Sequence, residues 1–125
     1  MYLLHGKNIT CGYDSVDILS ECTVGVKKGE IASIVGPNGA GKSTAMKSIF
    51  GLLKIRLGKI FLDNEDITNL LPQERVLKGM GYVPQNNNIF PTLSVQENLE
   101  MGAFIQHEDF SDILDYVYDL FPVLK

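Results

Sequence analysis

The chain has 125 residues, 45% of them apolar, and a formal net charge of −4. That length suits one domain or part of one, and the apolar share is enough to build a core. The negative balance argues against general nucleic-acid affinity. No apolar run reaches the ~18–20 residues that cross a bilayer, and Met1–His5 turns polar too soon for a signal peptide. The expected setting is therefore the cytosol, or a peripheral place on a larger assembly. Charge is unevenly spread: up to Lys78 there are ten Lys/Arg against eight Asp/Glu, and from Gly79 onward one Lys against seven acids. The acidic half reads as a solvated helical face, with a docking surface as the alternative.

The first third reads as strands. Tyr2–Cys11 is mixed, with a break expected at Gly6. Glu21–Val26 alternates with period two, the pattern of a half-buried strand. Lys27–Glu30 is a polar turn. Ile31–Val35 is a short apolar run bounded by glycine, which predicts a strand buried on both faces, as in a parallel sheet. A glycine-rich loop follows and leads into Lys42–Phe50, where Ala45, Met46, Ile49 and Phe50 form a helical stripe ended by Gly51.

Gly58–Asp63 predicts another strand with a turn at Asn64–Glu65. Pro72 opens a short helix to about Lys78. Met80–Pro84 predicts a short strand, and Gln85–Thr92 a polar loop. Ser94 and Glu97 make a capping box for a helix reaching about Phe104. Asp109 or Ser111 caps a last helix with Ile113, Leu114, Val117, Leu120 and Phe121 as its apolar stripe. Cys11, Cys22, His5 and His107 lack metal-site spacing, so the cysteines read as reduced, buried or half-buried thiols.

One motif carries chemistry. Gly36, Gly41, Lys42 and Ser43 match the spacing GxxxxGK[ST], between an expected strand and an expected helix. Such a loop wraps a polyphosphate with backbone N–H groups, aided by the helix N-terminus behind it. Lys42 places a point charge on the terminal phosphates. The Ser43 hydroxyl is a hard ligand suited to Mg²⁺, and Thr44 can bond the α-phosphate side.

The run Gly36-Pro37-Asn38-Gly39-Ala40-Gly41-Lys42-Ser43-Thr44 resembles the Walker A loop of ATP-binding-cassette (ABC) ATPases. Gly12-Tyr13 resembles the site of the family's adenine-stacking aromatic. Tyr82-Val83-Pro84-Gln85 resembles its Q-loop, and Leu93–Leu99 the helix that follows. The likeness runs through the whole chain in order. It implies an α/β P-loop NTPase fold: the N-terminal portion of an ABC ATPase, with an antiparallel β subdomain plus the Walker A strand, loop and helix. One partial domain over 1–125 is expected, truncated before the signature motif. The segments Asp66-Ile67-Thr68, Arg75-Val76, Gly79–Gln85, Asn88–Val95, Glu97–Phe104 and Tyr118–Pro122 resemble the ATPase subunits of branched-chain amino-acid importers. Lipopolysaccharide-export ATPases are the alternative.

The resemblance implies the following roles. Tyr13 stacks on adenine. Gly36, Pro37, Asn38, Gly39, Ala40, Gly41, Lys42, Ser43 and Thr44 hold ATP. Ser43 and Gln85 reach Mg²⁺, and Lys42 and Gln85 serve catalysis. Residues Asn86–Phe104 line a groove for the coupling helix of a membrane permease, although at least half of Phe90, Leu93, Leu99 and Phe104 are expected in ordinary core packing. The implied partners are a second ABC ATPase subunit, head to tail, the permease subunits and, indirectly, a substrate-binding protein, with no nucleic acid. The implied location is the cytoplasmic face of the cell membrane.

The sequence contains no LSGGQ signature, no Walker B Asp-Glu and no switch histidine. The expectation is therefore weak nucleotide binding and no significant hydrolysis by this chain alone. A lobe of a soluble ABC-type chromosome or repair ATPase is a competing reading. The absence of heptads after the Q-loop region and the acidic second half weigh against it.

Overall fold

The β-rich first third folds as a hairpin, in which β1 (Leu4–Tyr13) pairs antiparallel with β2 (Val16–Val26). This computed structural model describes residues 1–104 and 108–125, so His107 lies outside the described residues. Two units are distinguished, Met1–Tyr82 and Val83–Lys125. In the first, β3 (Leu57–Leu62) joins the free edge of β1, and β4 (Glu65–Asp66) follows, giving an antiparallel sheet of order β2-β1-β3-β4.

The expected break at Gly6 does not occur. Gly6 pairs with Val24 on one side and Ile60 on the other, and a ladder on both edges holds the strand straight through it. Irregularity falls instead at Asn8 and Glu21, both at positive φ and both beside register shifts. Thr23 Oγ1 accepts from the Asn8 backbone N–H at 3.0 Å and donates to Asn8 Oδ1 at 3.2 Å, so the bulge keeps its hydrogen bonds. The β3–β4 turn uses Asp63 and Asn64, at φ 47° and 66°, one residue earlier than the sequence pattern suggested. Two consecutive positive φ values match the right-handed twist of a two-residue hairpin.

Helix α1 (Lys42–Phe50) packs Ala45 and Ile49 against the sheet, where Ile9, Cys11, Leu19, Ile60 and Ile67 complete the core. Each fully buried isoleucine contributes about 1.5–3 kcal/mol. Cys11 is buried and Cys22 half-buried, both as free thiols, and burial pushes the Cys11 thiol above its ordinary value. Gly51 ends α1 in the left-handed region at φ 92°, and its N–H bonds Lys47 O at 3.0 Å. Helix α2 (Pro72–Leu77) starts at the proline as expected.

Asp66 Oδ1 accepts from both the Thr68 hydroxyl and the Thr68 backbone N–H. These bonds, chiefly the hydroxyl one, hold the Asp66 carboxyl below its ordinary value of 3.8. The folded form therefore gains stability above that value and loses it as pH falls through it toward the depressed folded value. Because Asp66 is largely exposed, the effect is small. Urea midpoints of Asp66→Asn, measured between about pH 5 and pH 2, should fall less steeply than those of the parent. Identical acid limbs would remove this assignment.

Two expected strands do not form. Ile31–Val35 makes no ladder, and Ile31 and Val35 are 98% and 87% exposed. A strand buried on both faces needs partners along its edges, and among the described residues none pairs with this segment. Met80–Pro84 is likewise irregular.

The second unit holds α3 (Val95–Gly102), α4 (Ser111–Leu120) and a 3₁₀ turn at Pro122–Leu124. The capping box is present: Ser94 Oγ accepts from the Glu97 N–H at 3.1 Å, and Glu97 returns the bond to the Ser94 N–H at 2.7 Å. Asn98 clips the preceding turn to α3, accepting from the Phe90 N–H at 2.7 Å and donating to Phe90 O and Ser94 O. Asp109 accepts the first N–H of α4 from Ser111 at 3.0 Å. The expected core packing of Phe90, Leu93, Leu99 and Phe104 is not found. Phe90, Leu93 and Phe104 are exposed and Leu99 is half-buried, since short helices α3 and α4 enclose no buried residue of their own.

Candidate nucleotide-binding site

The site is built on the N-terminus of α1. Lys42, Ser43 and Thr44 open this helix, so their backbone N–H groups lack intrahelical acceptors. The N-cap is Gly41, which offers no side-chain acceptor, and the first turn carries no acid. The turn therefore presents unneutralised donors and the positive end of the helix dipole, which is the donor set a phosphate tail requires. Gly41 sits at φ 98°, and a Cβ there would lie 2.7 Å from Leu19 Cδ2. The positive φ favours glycine at this joint between loop and helix, and a Cβ there would also displace the end of the Leu19 side chain.

The loop from Gly36 to Ala40 is exposed throughout. Its own bonds shape it: the Ala40 N–H donates to Pro37 O at 3.2 Å. Lys42 Nζ curls back over the loop and donates to Gly36 O and, at 2.9 Å, to Pro37 O. An ammonium has three donors, so one remains for an anion held in the loop. The Ser43 side chain is exposed at the second helical position, where a hydroxyl can face Mg²⁺. Thr44 is 6% exposed, so the first turn offers the Ser43 hydroxyl to solvent far more than that of Thr44.

Tyr13 stands at the end of β1 with 46% of its surface exposed. Arg56 braces this hairpin end by pairing with Asp17 and donating to Asp14 O, while its own N–H bonds Thr10 O at 2.8 Å. Lys47 Nζ of α1 lies 5.9 Å from the centre of the Tyr13 ring. Tyr13 and the loop thus belong to the first unit, and Gln85 is exposed in the second. A cavity of about 290 Å³ lies at the opposite end of α1, between Ser48, Gly51, Ile60, Thr68 and Arg75, away from the loop.

Sequence reasoning missed three basic residues that shape this region. Lys47 contacts the Tyr13 ring, and Arg56 braces the hairpin end beside it. Arg75 is 2% exposed and donates to Ile49 O at 2.6 Å, Thr68 O at 3.0 Å and Leu70 O at 3.1 Å. Burial pushes its guanidinium down from the ordinary value. These contacts join residues 39 and 26 positions apart, beyond any periodicity window.

A glycine-rich loop of spacing GxxxxGK[ST] that opens an uncapped helix packed on the sheet is the local arrangement of a P-loop. The sequence profile of the ABC transporter family matches residues 19–120. The chain belongs to the ABC transporter family. It is 40% identical over 124 residues to the probable branched-chain amino acid transport ATP-binding protein LivF of Archaeoglobus fulgidus, covering 98% of this chain and 52% of that protein. It is also 40% identical over 99 residues to the lipopolysaccharide export system ATP-binding protein LptB of Haemophilus influenzae, covering 79% of this chain and 41% of that protein. A dimeric ATP-binding cassette solved in a post-hydrolysis state with ADP and Pi superimposes with a TM-score of 0.72 at 30% identity, covering 85% of this chain and 49% of that one. The chain spans about half the length of the curated relatives it matches.

Among the described residues, no helix is long and apolar enough to cross a membrane, and no group of three or more His, Cys, Asp or Glu is placed to hold a metal ion.

Proposed function

We propose that this chain is the ATP-binding part of an ABC transporter ATPase subunit that energises import of branched-chain amino acids. The observation that carries the nucleotide reading is the α1 N-terminus with its free N–H donors and the Lys42 ammonium folded over the loop. The backbone of Gly36–Thr44 and Lys42 hold the phosphate tail. Tyr13 carries the base, and Arg56 steadies the hairpin end that presents it. The Ser43 hydroxyl and Gln85 are the ligands offered to Mg²⁺, which would supply positive charge to the phosphates when bound. Gln85 also orients the attacking water, and residues 86–104 face the permease from the cytoplasmic side of the membrane. The second subunit of the cassette pair completes the assembly, as the dimeric relative with ADP and Pi supports.

The cargo assignment rests on the likeness to LivF, which extends over 98% of this chain, against 79% and 89% for the LptB proteins of Haemophilus influenzae and Escherichia coli. The deciding experiment assembles the full protein carrying this sequence with a branched-chain amino-acid permease in proteoliposomes. Binding protein loaded with leucine, isoleucine or valine should raise ATP turnover. Turnover that responds to lipopolysaccharide with its own permease, and not to the amino acids, would overturn the cargo assignment and favour the export reading.

A further inference from the structure

The base-stacking role of Tyr13 leaves one neighbour unexplained. Lys47 lies on α1, the helix whose first turn forms the phosphate site, and its ammonium stands 5.9 Å over the Tyr13 ring. This is within the range at which a cation is attracted to an aromatic face. Lys47 is half-buried, and the ring it covers is still 46% exposed. Tyr13 itself ends a strand at a two-residue turn, and the braces from Arg56 reach Asp14 and Asp17, not the ring. Among the described residues, the charged contact to the ring itself comes from α1.

We infer that Lys47 is the positioning residue for base recognition: it holds one face of Tyr13 so that the other serves as the platform for a planar nucleobase. The inference rests on the nucleotide-site reading above. Two consequences follow from the geometry. The lysine that contacts the base platform and the first turn of the phosphate site share one helix, so α1 links the platform at the end of β1 to the loop. A cation on one face also withdraws electron density from the ring, which favours stacking of an electron-rich purine on the other. Lys47 is thus assigned to the base and not to the phosphates.

The test separates base from phosphate by comparing ATP with inorganic tripolyphosphate, which has no base. Both are titrated against the full chain and its variants. Lys47→Met should weaken ATP about two- to five-fold, the range of an exposed cation–aromatic contact, and leave tripolyphosphate unchanged. Lys47→Arg should restore ATP affinity, because a guanidinium also sits on an aromatic face. In a Tyr13→Ala background, Lys47→Met should have no further effect. Tighter ATP binding by Lys47→Met would show that the lysine blocks the ring, and equal weakening of both ligands would show a general charge effect. Either result overturns the inference while leaving the nucleotide site intact. Failure of the parent chain to bind either ligand overturns the site reading itself, and this inference with it.

Discussion

Replacing Lys42 with alanine weakens ATP binding by about 10- to 150-fold, the equivalent of losing a charged hydrogen bond of roughly 1.5–3 kcal/mol. The magnitude follows from two losses. On the proposed reading, the phosphate tail loses the ammonium's remaining donor and its charge. The loop also loses the ammonium's bonds to Gly36 O and Pro37 O, which close it on itself. The loop is exposed from Gly36 to Ala40 and has few other bonds, so its shape depends on those contacts. Arginine at this position should not rescue binding, since a planar fork cannot occupy the ammonium's place between two adjacent carbonyls. Calorimetric titration of parent and variants with ATP checks this. Unchanged affinity in Lys42→Ala would remove the loop from the nucleotide site.

Replacing Arg75 with methionine lowers the stability of the fold by about 2–4 kcal/mol. Methionine keeps much of the side-chain volume but has no donors. Ile49 O is then left buried without this partner while Thr68 O and Leu70 O, at the part-buried cavity, lose theirs; a buried orphaned acceptor costs about 1–3 kcal/mol, partly offset because the arginine no longer has to be desolvated. Ile49 O belongs to the last turn of α1, where carbonyl groups point out of the helix and a cation suits the dipole. Gly51 shares this arrangement: a Cβ there would lie 2.8 Å from Arg75 Nε, and φ is 92°. Lysine should recover only part of the loss, because a single ammonium cannot reach carbonyls on both sides as the guanidinium does. Urea unfolding of the chain is the measurement. A midpoint unchanged in Arg75→Met would show that these bonds add nothing net.

The glycine-rich loop and the helix it opens were legible because their signal is local. Glycine where φ is positive, lysine beside it and a helical stripe behind it all lie within a few residues, and backbone sterics tie those residue types to one shape. The caps at Ser94, Gly51 and Pro72 were legible for the same reason. Their bonds run to residues one turn away. The run Ile31–Val35 shows the limit of such reasoning. Its composition states what environment the segment requires, yet whether edges exist to pair with it depends on other strands. The fully exposed ends of that run show that the described residues do not supply them.

The residues that orient the site were hidden for a different reason. Lys47, Arg56 and Arg75 each act through a contact between elements distant in the chain, and nothing in their immediate neighbours announces it. A basic residue on a helix is ordinarily a solvated one. It becomes a brace for Tyr13 or a cap for α1 only once the sheet has brought β1, β3 and the 68–75 segment alongside that helix. The sequence by itself determined the glycine-rich loop, the helix it opens and the family, because those rest on short-range backbone chemistry and residue order. The tertiary structure alone decided which cations steady that helix and its aromatic neighbour, because a buried charge finds its carbonyls, and an ammonium its ring, only after long-range packing has put them within reach.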